Sequence, residues 1–257
     1  MNNYHEVIPI ILAAGLGTRL EKSNTTRPKC LLEFDGKKLI EIQLELLCEI
    51  GVREVIIVVG HQRQEITSAI GETFGLVSVY YVSNYQYAAT GSAYSLFVAF
   101  DRWKTIKKPV LLLHADILYD KKILLKFLSD NPKDQNTILI DENFEELTND
   151  EQVVLTEGKK VIELIKRVKI PANAAGESLG INYWSVIYME EYFNFLSSFL
   201  KGSVAKFNWE QTIKLFLENN PHIDLFFKDI QGRSWININY PDDRVKGDQI
   251  FKSFKKK

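Results

Sequence analysis

The chain has 257 residues, 46% apolar and 25% charged, with 14 glycines and 7 prolines. That composition excludes disordered, collagen-like and low-complexity classes, and the length can bury a core without disulfide or metal staples. Thirty-two basic side chains against thirty-three acidic ones leave a net charge of −1, which argues against a nucleic-acid backbone or an anionic membrane as the main partner. In chain order, a compact apolar run at 7–13 ends near Gly15 and predicts a first strand. Residues 38–50 carry Leu39, Ile42, Leu46 and Leu47 on one helical face and stop at Gly51, which predicts an amphipathic helix. The run 55–59 is wholly β-branched and ends at Gly60. Helical patterns follow at 62–70, 92–103 and 121–128, and extended ones at 77–82, 110–113 and 137–140.

Unbroken apolar strands alternating with helices predict a parallel sheet covered on both faces, wound by right-handed crossovers. After about residue 141 the pattern changes. An acidic loop at 141–151 leads to extended runs at 153–156 and 161–168 around Glu157-Gly158, which predict a hairpin. Residues 183–188 read as extended, 190–200 and 209–218 as helical, 224–227 and 235–238 as extended, with a last helix after Pro241. No internal repeat and no Ser- or Pro-rich linker separates the halves. The expected fold class is α/β, a doubly wound, mostly parallel sheet in one domain over 1–257. The segment 142–257 is a hairpin and helical elaboration on the sheet begun by 1–141.

Two cysteines, Cys30 and Cys48, cannot build a disulfide framework or a metal cage, and they fit a reducing cytosol. The longest apolar stretch, 7–14, falls short of the about 20 residues that span a bilayer. Glu6 stands near an N-terminus without a cleavable signal pattern. The basic tail, Lys252 and Lys255 to Lys257, reads as a solvated terminus. The expectation is a cytoplasmic protein with no membrane insertion and no nucleic-acid partner; a homodimer stays open.

In an open parallel sheet the ligand crevice lies beyond the carboxyl ends of the strands. Directly after the first strand comes Leu12-Ala13-Ala14-Gly15-Leu16-Gly17-Thr18-Arg19-Leu20. Gly15 and Gly17 allow close backbone approach, so successive N–H groups can cradle phosphate oxygens, and Arg19 adds a charged fork. No Gly-Lys-Ser/Thr follows at Walker spacing, and the third glycine of a dinucleotide fingerprint is replaced by Leu20. Ten residues on, Arg27-Pro28-Lys29-Cys30-Leu31-Leu32 offers a lysine stiffened by the preceding proline. A glycine loop, Arg19 and Lys29 in one connection point to phosphate binding. A third stretch, Asn84 to Leu96, lies between a strand and a helix, with Gly91 as a turn residue and Ser92 as a helix-cap candidate. The fourth, Leu113-His114-Ala115-Asp116, ends a strand in an acid that reads either as a helix cap or as a metal ligand.

The composite of Leu12 to Leu20 with Arg27 to Leu32 resembles the signature of the nucleotidyltransferases that make nucleotide sugars and CDP-activated alcohols. The resemblance implies a Rossmann-like nucleotidyltransferase fold, with 1–141 holding the nucleotide and 142–257 the acceptor. It implies that Leu12, Ala13, Ala14, Gly15, Gly17 and Thr18 hold base and phosphates, and that Arg19 and Lys29 grip the triphosphate. Asn84, Tyr87 and Thr90, as Asn-x-x-Tyr-x-x-Thr, resemble the choline-phosphate cytidylyltransferase branch. Gly91-Ser92, where that branch carries Asn-Asn, is closer to the sugar-phosphate branch, and Gln86 stands where that branch reads a pyrimidine edge. The family places a magnesium ligand at Asp116. It places a second in a late Trp-x-Glu-Ile-Asp-x-Pro-x-Asp segment, which here runs from Trp235 to Asp243 with Asn239 at the expected acid. Mg2+ is therefore the implied cofactor, with Asp116 and Asn239 as ligands.

Glu177-Ser178-Leu179-Gly180-Ile181 is similar to the family's Glu-x-x-Gly-Ile acceptor segment. Glu177, with Tyr183, Trp209 and Glu210, is the candidate acceptor side; the aromatics Tyr183, Trp184, Tyr188, Phe207 and Trp209 read either as a cation cage or as core. The expected reaction transfers a cytidylyl group from CTP to a small phosphorylated acceptor, of phosphocholine, phosphorylated amino-acid amide or aminophosphonate type, and releases pyrophosphate. Two alternatives stand beside it: a sugar-1-phosphate uridylyl- or thymidylyltransferase, and a nucleotide-binding regulator that lost a metal ligand at Asn239.

Overall fold

The computed structural model describes residues 4–17, 27–131, 134–143, 150–166, 169–202 and 206–254. Thr18 and Arg19, part of the acidic loop, the end of the predicted hairpin at 167–168 and the tail lysines 255–257 lie outside the described residues. The first half runs β1 (Ile8–Ala13), β2 (Glu33–Phe34), β3 (Lys37–Lys38), α1 (Leu39–Glu49), β4 (Glu54–Val59), α2 (Arg63–Ile70), β5 (Thr73–Phe74), β6 (Val77–Ser83), α3 (Ser92–Trp103), β7 (Val110–His114), β8 (Ile117–Tyr119), α4 (Lys121–Asp130) and β9 (Thr137–Asp141). The second half runs β10 (Val153–Glu157), β11 (Lys160–Ile165), β12 (Ala174–Trp184), α5 (Val186–Phe199), α6 (Trp209–Asn219), β13 (Phe226–Asp229), β14 (Trp235–Asn237) and α7 (Pro241–Phe254).

Alternate residues of one strand feed opposite cores. In β4, Val55, Ile57 and Val59 enter the layer with α1, α2 and α4, while Ile56 and Val58 enter the layer with α3, α5 and α6. β1 divides likewise, Ile11 and Ala13 against Ile8 and Ile10, and β7 divides Leu111 and Leu113 against Val110 and Leu112. Both faces are covered, so these strands read as unbroken apolar runs.

Among the described residues the main sheet has ten strands in the order β10-β11-β13-β9-β12-β7-β1-β4-β6-β5. β6, β4, β1 and β7 are mutually parallel, as the alternation of strand and helix predicts. In the later half the pairing is mixed: β12 runs antiparallel to β7, β9 and β10, and β13 runs parallel to β9. The expected extended run at 183–188 is corrected here, because β12 stops at Trp184 and α5 begins at Val186. Ser185 causes the switch: its Oγ accepts the Tyr188 N–H at 3.2 Å and starts the helix inside an apolar run.

Candidate active site

From β1 the chain moves outward to β4 on one side, while β7 flanks β1 on the other. The strand order reverses there, and a cavity of about 380 Å³ opens beyond the carboxyl ends of β1 and β7. Leu12, Ala13, Ala14, Gly15 and Gly17 line it on the β1 side. Gly17 has φ +69°, the left-handed conformation that favours glycine, and this turn lies against the Lys29 stem.

Lys29 opens a short 3-10 turn after Pro28, and its Nζ donates to Asp116 Oδ2 at 3.2 Å and to Asn239 Oδ1 at 2.7 Å. These three side chains come from the β1 connection, the β7–β8 turn and the segment after β14. Each has its own support. Asp116 accepts the Ile238 N–H on its carbonyl at 2.8 Å, and the buried Gln43 of α1 donates to both His114 O and Ile117 O at 2.9 Å. Asp243 accepts the N–H groups of Asn239 and Tyr240 at 2.9 and 2.7 Å, so the Pro-x-Asp spacing fixes the start of α7 and the backbone of Asn239. The cap reading of Asp116 fails, because Asp120 caps α4 by accepting the Lys122 N–H. Burial is the largest influence on the Asp116 carboxyl and opposes its charge. The Lys29 ammonium and hydrogen bonds outweigh that and hold it below the usual carboxylate range.

Asp116 and Asn239 present oxygens that converge on one positive charge, which is the donor chemistry a hard divalent ion requires. Among the described residues no group of three or more His, Cys, Asp or Glu side chains forms a cage for a metal. The residues present therefore fit an ion shared with ligand phosphates better than one held by protein alone.

The loop between β6 and α3 is organised by Asn84, which is fully buried. Its Nδ2 donates to Thr90 Oγ1 and Ser95 Oγ, both at 3.1 Å, and its Oδ1 accepts the Gln86 N–H at 2.9 Å. Thr90, Gly91 and Ser92 line the cavity, whereas Gln86 is exposed and outside the lining, spending its backbone on the loop. Gly91, not Ser92, caps α3, and Ser92 Oγ instead accepts the Trp209 N–H at 3.0 Å. A Cβ on Gly91 would fall 2.1 Å from Phe207 O, so this glycine exists to let the 206–208 segment lie against the loop.

On the acceptor side, Glu177 and Glu210 line the cavity, but Tyr183 and Trp209 do not. Tyr183 points its bulk into one core layer and Trp209, fully buried, into the other. Trp184 and Tyr188 are likewise core, so the cage reading of these aromatics is corrected. Inward-facing aromatics fill the sheet–helix interfaces and cannot also face the cleft. Burial first, then the carboxylates of Glu151 and Asp141, push Glu177 up to about 7. Burial also raises Glu210.

Two contributors were hidden from sequence reasoning. Asn237 lines the cavity with its Oδ1 buried and without a hydrogen-bond partner among the described residues, two residues before Asn239. His114 lines it beside Asp116 and receives the Trp209 indole N–H on Nε2 at 2.9 Å. The one available signal was their nearness in sequence to the expected metal ligands.

The model of a family described as the MobA-like NTP transferase domain matches residues 9–174. The choline-phosphate cytidylyltransferase of Streptococcus pneumoniae is 28% identical over 246 residues, covering 95% of this chain and 98% of its own. The CTP:phosphoglutamine cytidylyltransferase of Campylobacter jejuni is 24% identical over 237 residues, covering 80% and 91%. Among solved structures, the inositol-1-phosphate CTP transferase of T. maritima superposes with a TM-score of 0.74 at 19% identity, covering 96% of each chain. Nucleotidyltransferases of this kind generally use a divalent metal. Among the described residues no helix is long and apolar enough to cross a membrane.

Proposed function

We propose, from the premise that the chain belongs to the MobA-like NTP transferase domain family, that it transfers the cytidylyl group of CTP to a small phosphorylated acceptor. An acceptor phosphate oxygen forms a bond to the α-phosphorus, the bond from that phosphorus to the bridging oxygen breaks, and pyrophosphate leaves with the electron pair. The acceptor phosphate is already ionised at neutral pH, so no protein nucleophile is needed. Catalysis is positioning plus electrostatics. The observation that carries the reading is Lys29, a partly buried ammonium aimed by Asp116 and Asn239 at the switch point of the sheet.

Backbone groups of Ala14, Gly15 and Gly17 would cradle the nucleotide, with Thr90, Gly91 and Ser92 around it. Lys29 would balance charge on the departing pyrophosphate. Held by Asp116, Asn239 and ligand phosphates, a magnesium ion would supply further positive charge at the α-phosphate. Glu177 and Glu210 would meet a cationic or hydrogen-bond-donating group on the acceptor. The cytidylyl reading is supported by two relatives named as cytidylyltransferases, matched over 95% and 80% of this chain. The sugar-phosphate reading loses one support, since packing against Phe207 accounts for Gly91 without reference to a ligand.

The test is pyrophosphate release with magnesium, crossing CTP, UTP, dTTP, ATP and GTP against phosphocholine, phosphorylated amino-acid amides, aminophosphonates and sugar 1-phosphates. Release with CTP and one acceptor, reduced about 10²–10³-fold in Lys29→Ala, is the expected result. CTP binding without release from any pair would leave the regulator reading in its place.

A further inference from the structure

Glu210 is 4% exposed, lines the cleft, and leaves Oε2 without a hydrogen-bond partner among the described residues. A buried carboxylate oxygen in that condition is prepared for a donor from a ligand. His114 stands beside it, with Nε2 3.5 Å from Glu210 Oε1. The same Nε2 lies 2.9 Å from Trp209 Nε1. An indole nitrogen only donates, so the imidazole nitrogen must accept, and the ring proton sits on Nδ1. A nitrogen that accepts from Trp209 has no proton to give Glu210.

We propose that Trp209 is a positioning residue: its indole N–H fixes the tautomer of His114 and thereby keeps Glu210 available to a cationic or hydrogen-bond-donating group of the acceptor. Both neighbours are held in place. A Cβ on Gly180, which has φ +76°, would lie 2.7 Å from His114 Cγ and Nδ1, so the ring rests directly on the β12 backbone. Trp209 is fully buried, its backbone N–H is received by Ser92 Oγ, and a capping box between Asn208 and Gln211 fixes the first turn of α6. Without the indole N–H, the His114 proton moves to Nε2, where it faces Glu210 Oε1 and draws negative charge from the carboxylate whose Oε2 the acceptor would use.

The acceptor half of this inference rests on the cytidylyl reading above, while the tautomer half does not. Imidazole nitrogen NMR on the 15N-histidine-labelled wild-type protein, with His114→Asn to identify the resonance, should show the Nδ1–H form for His114. Trp209→Phe should convert it to the Nε2–H form. With an acceptor in hand, Trp209→Phe should raise the acceptor KM about tenfold and leave kcat and the CTP KM within about twofold. The same substitution made in Glu210→Gln should change the acceptor KM by less than about twofold, since the group it protects is gone. An Nε2–H form in the wild-type protein overturns the proposal, even if Trp209→Phe does not fold. So does an equal KM penalty in both backgrounds. Absence of turnover with every acceptor would sink the cytidylyl reading and leave the tautomer spectrum to decide this one.

Discussion

Glu177 stands on β12 opposite Asp141 of β9 and Val153 of β10, with Glu151 nearby and the Lys166–Asp150 ion pair on the same cleft wall. Burial first, then the carboxylates of Glu151 and Asp141, raise its carboxyl from 4.5 to about 7. The folded-state value exceeds the unfolded one, so the proton favours the folded state. That contribution is complete below pH 4.5 and is lost as pH rises through about 7. Glu177→Gln should therefore match the wild type at about pH 4 and exceed it by about 3 kcal/mol at about pH 8. Thermal melts should show this as about 6–12 °C, and parallel stability curves for the two proteins would count against it. At this scale Lys29 and Asp116 were legible because each sits in a motif whose chemistry is local. Gln86, Tyr183 and Trp209 were not, because exposure and the side of a sheet depend on what packs from elsewhere. Gln43 shows the converse. It lies on the apolar face of α1 among Leu39, Ile42 and Leu47, and a lone polar residue there is a signal that something must be held.

The elements follow from their patterns wherever both faces of a strand are buried. Ile56 and Ile57 are adjacent and fully buried, yet they serve different core layers. Ile56→Ala and Ile57→Ala should each cost about 2–5 kcal/mol in urea unfolding. A half-exposed strand would instead spare one of the pair, and a silent substitution at either position would contradict the two-layer arrangement. The boundary between β12 and α5 escaped the same reasoning. Tyr183, Trp184, Val186, Ile187 and Tyr188 suit a strand or a helix equally, and a single serine hydroxyl decides where one ends. The start of α7 was legible, because Pro241 and Asp243 carry the helix signal within three residues.

Across the whole molecule, the sheet passes without interruption from the parallel half into the mixed half. β12 pairs with both β7 and β9, and β13 inserts beside β9 and β11. Among the described residues no strand edge divides 1–141 from the rest, so calorimetric unfolding should give one cooperative transition whose calorimetric and van't Hoff enthalpies agree. Two separated transitions would instead mark two independently folding halves. The amino-acid sequence by itself determined the strand–helix alternation, the glycine loop and the lysine that follows it, because each is written within about one turn or one strand of chain. Tertiary structure alone decided that Lys29 meets Asn239 across 210 positions, that Gly91 makes room for Phe207, and that Trp209 and Glu210 both approach one imidazole nitrogen of His114. Those contacts arise from strand order and from the face on which each helix packs. Both are settled by burial summed over the whole fold, and no local window of residues contains that sum.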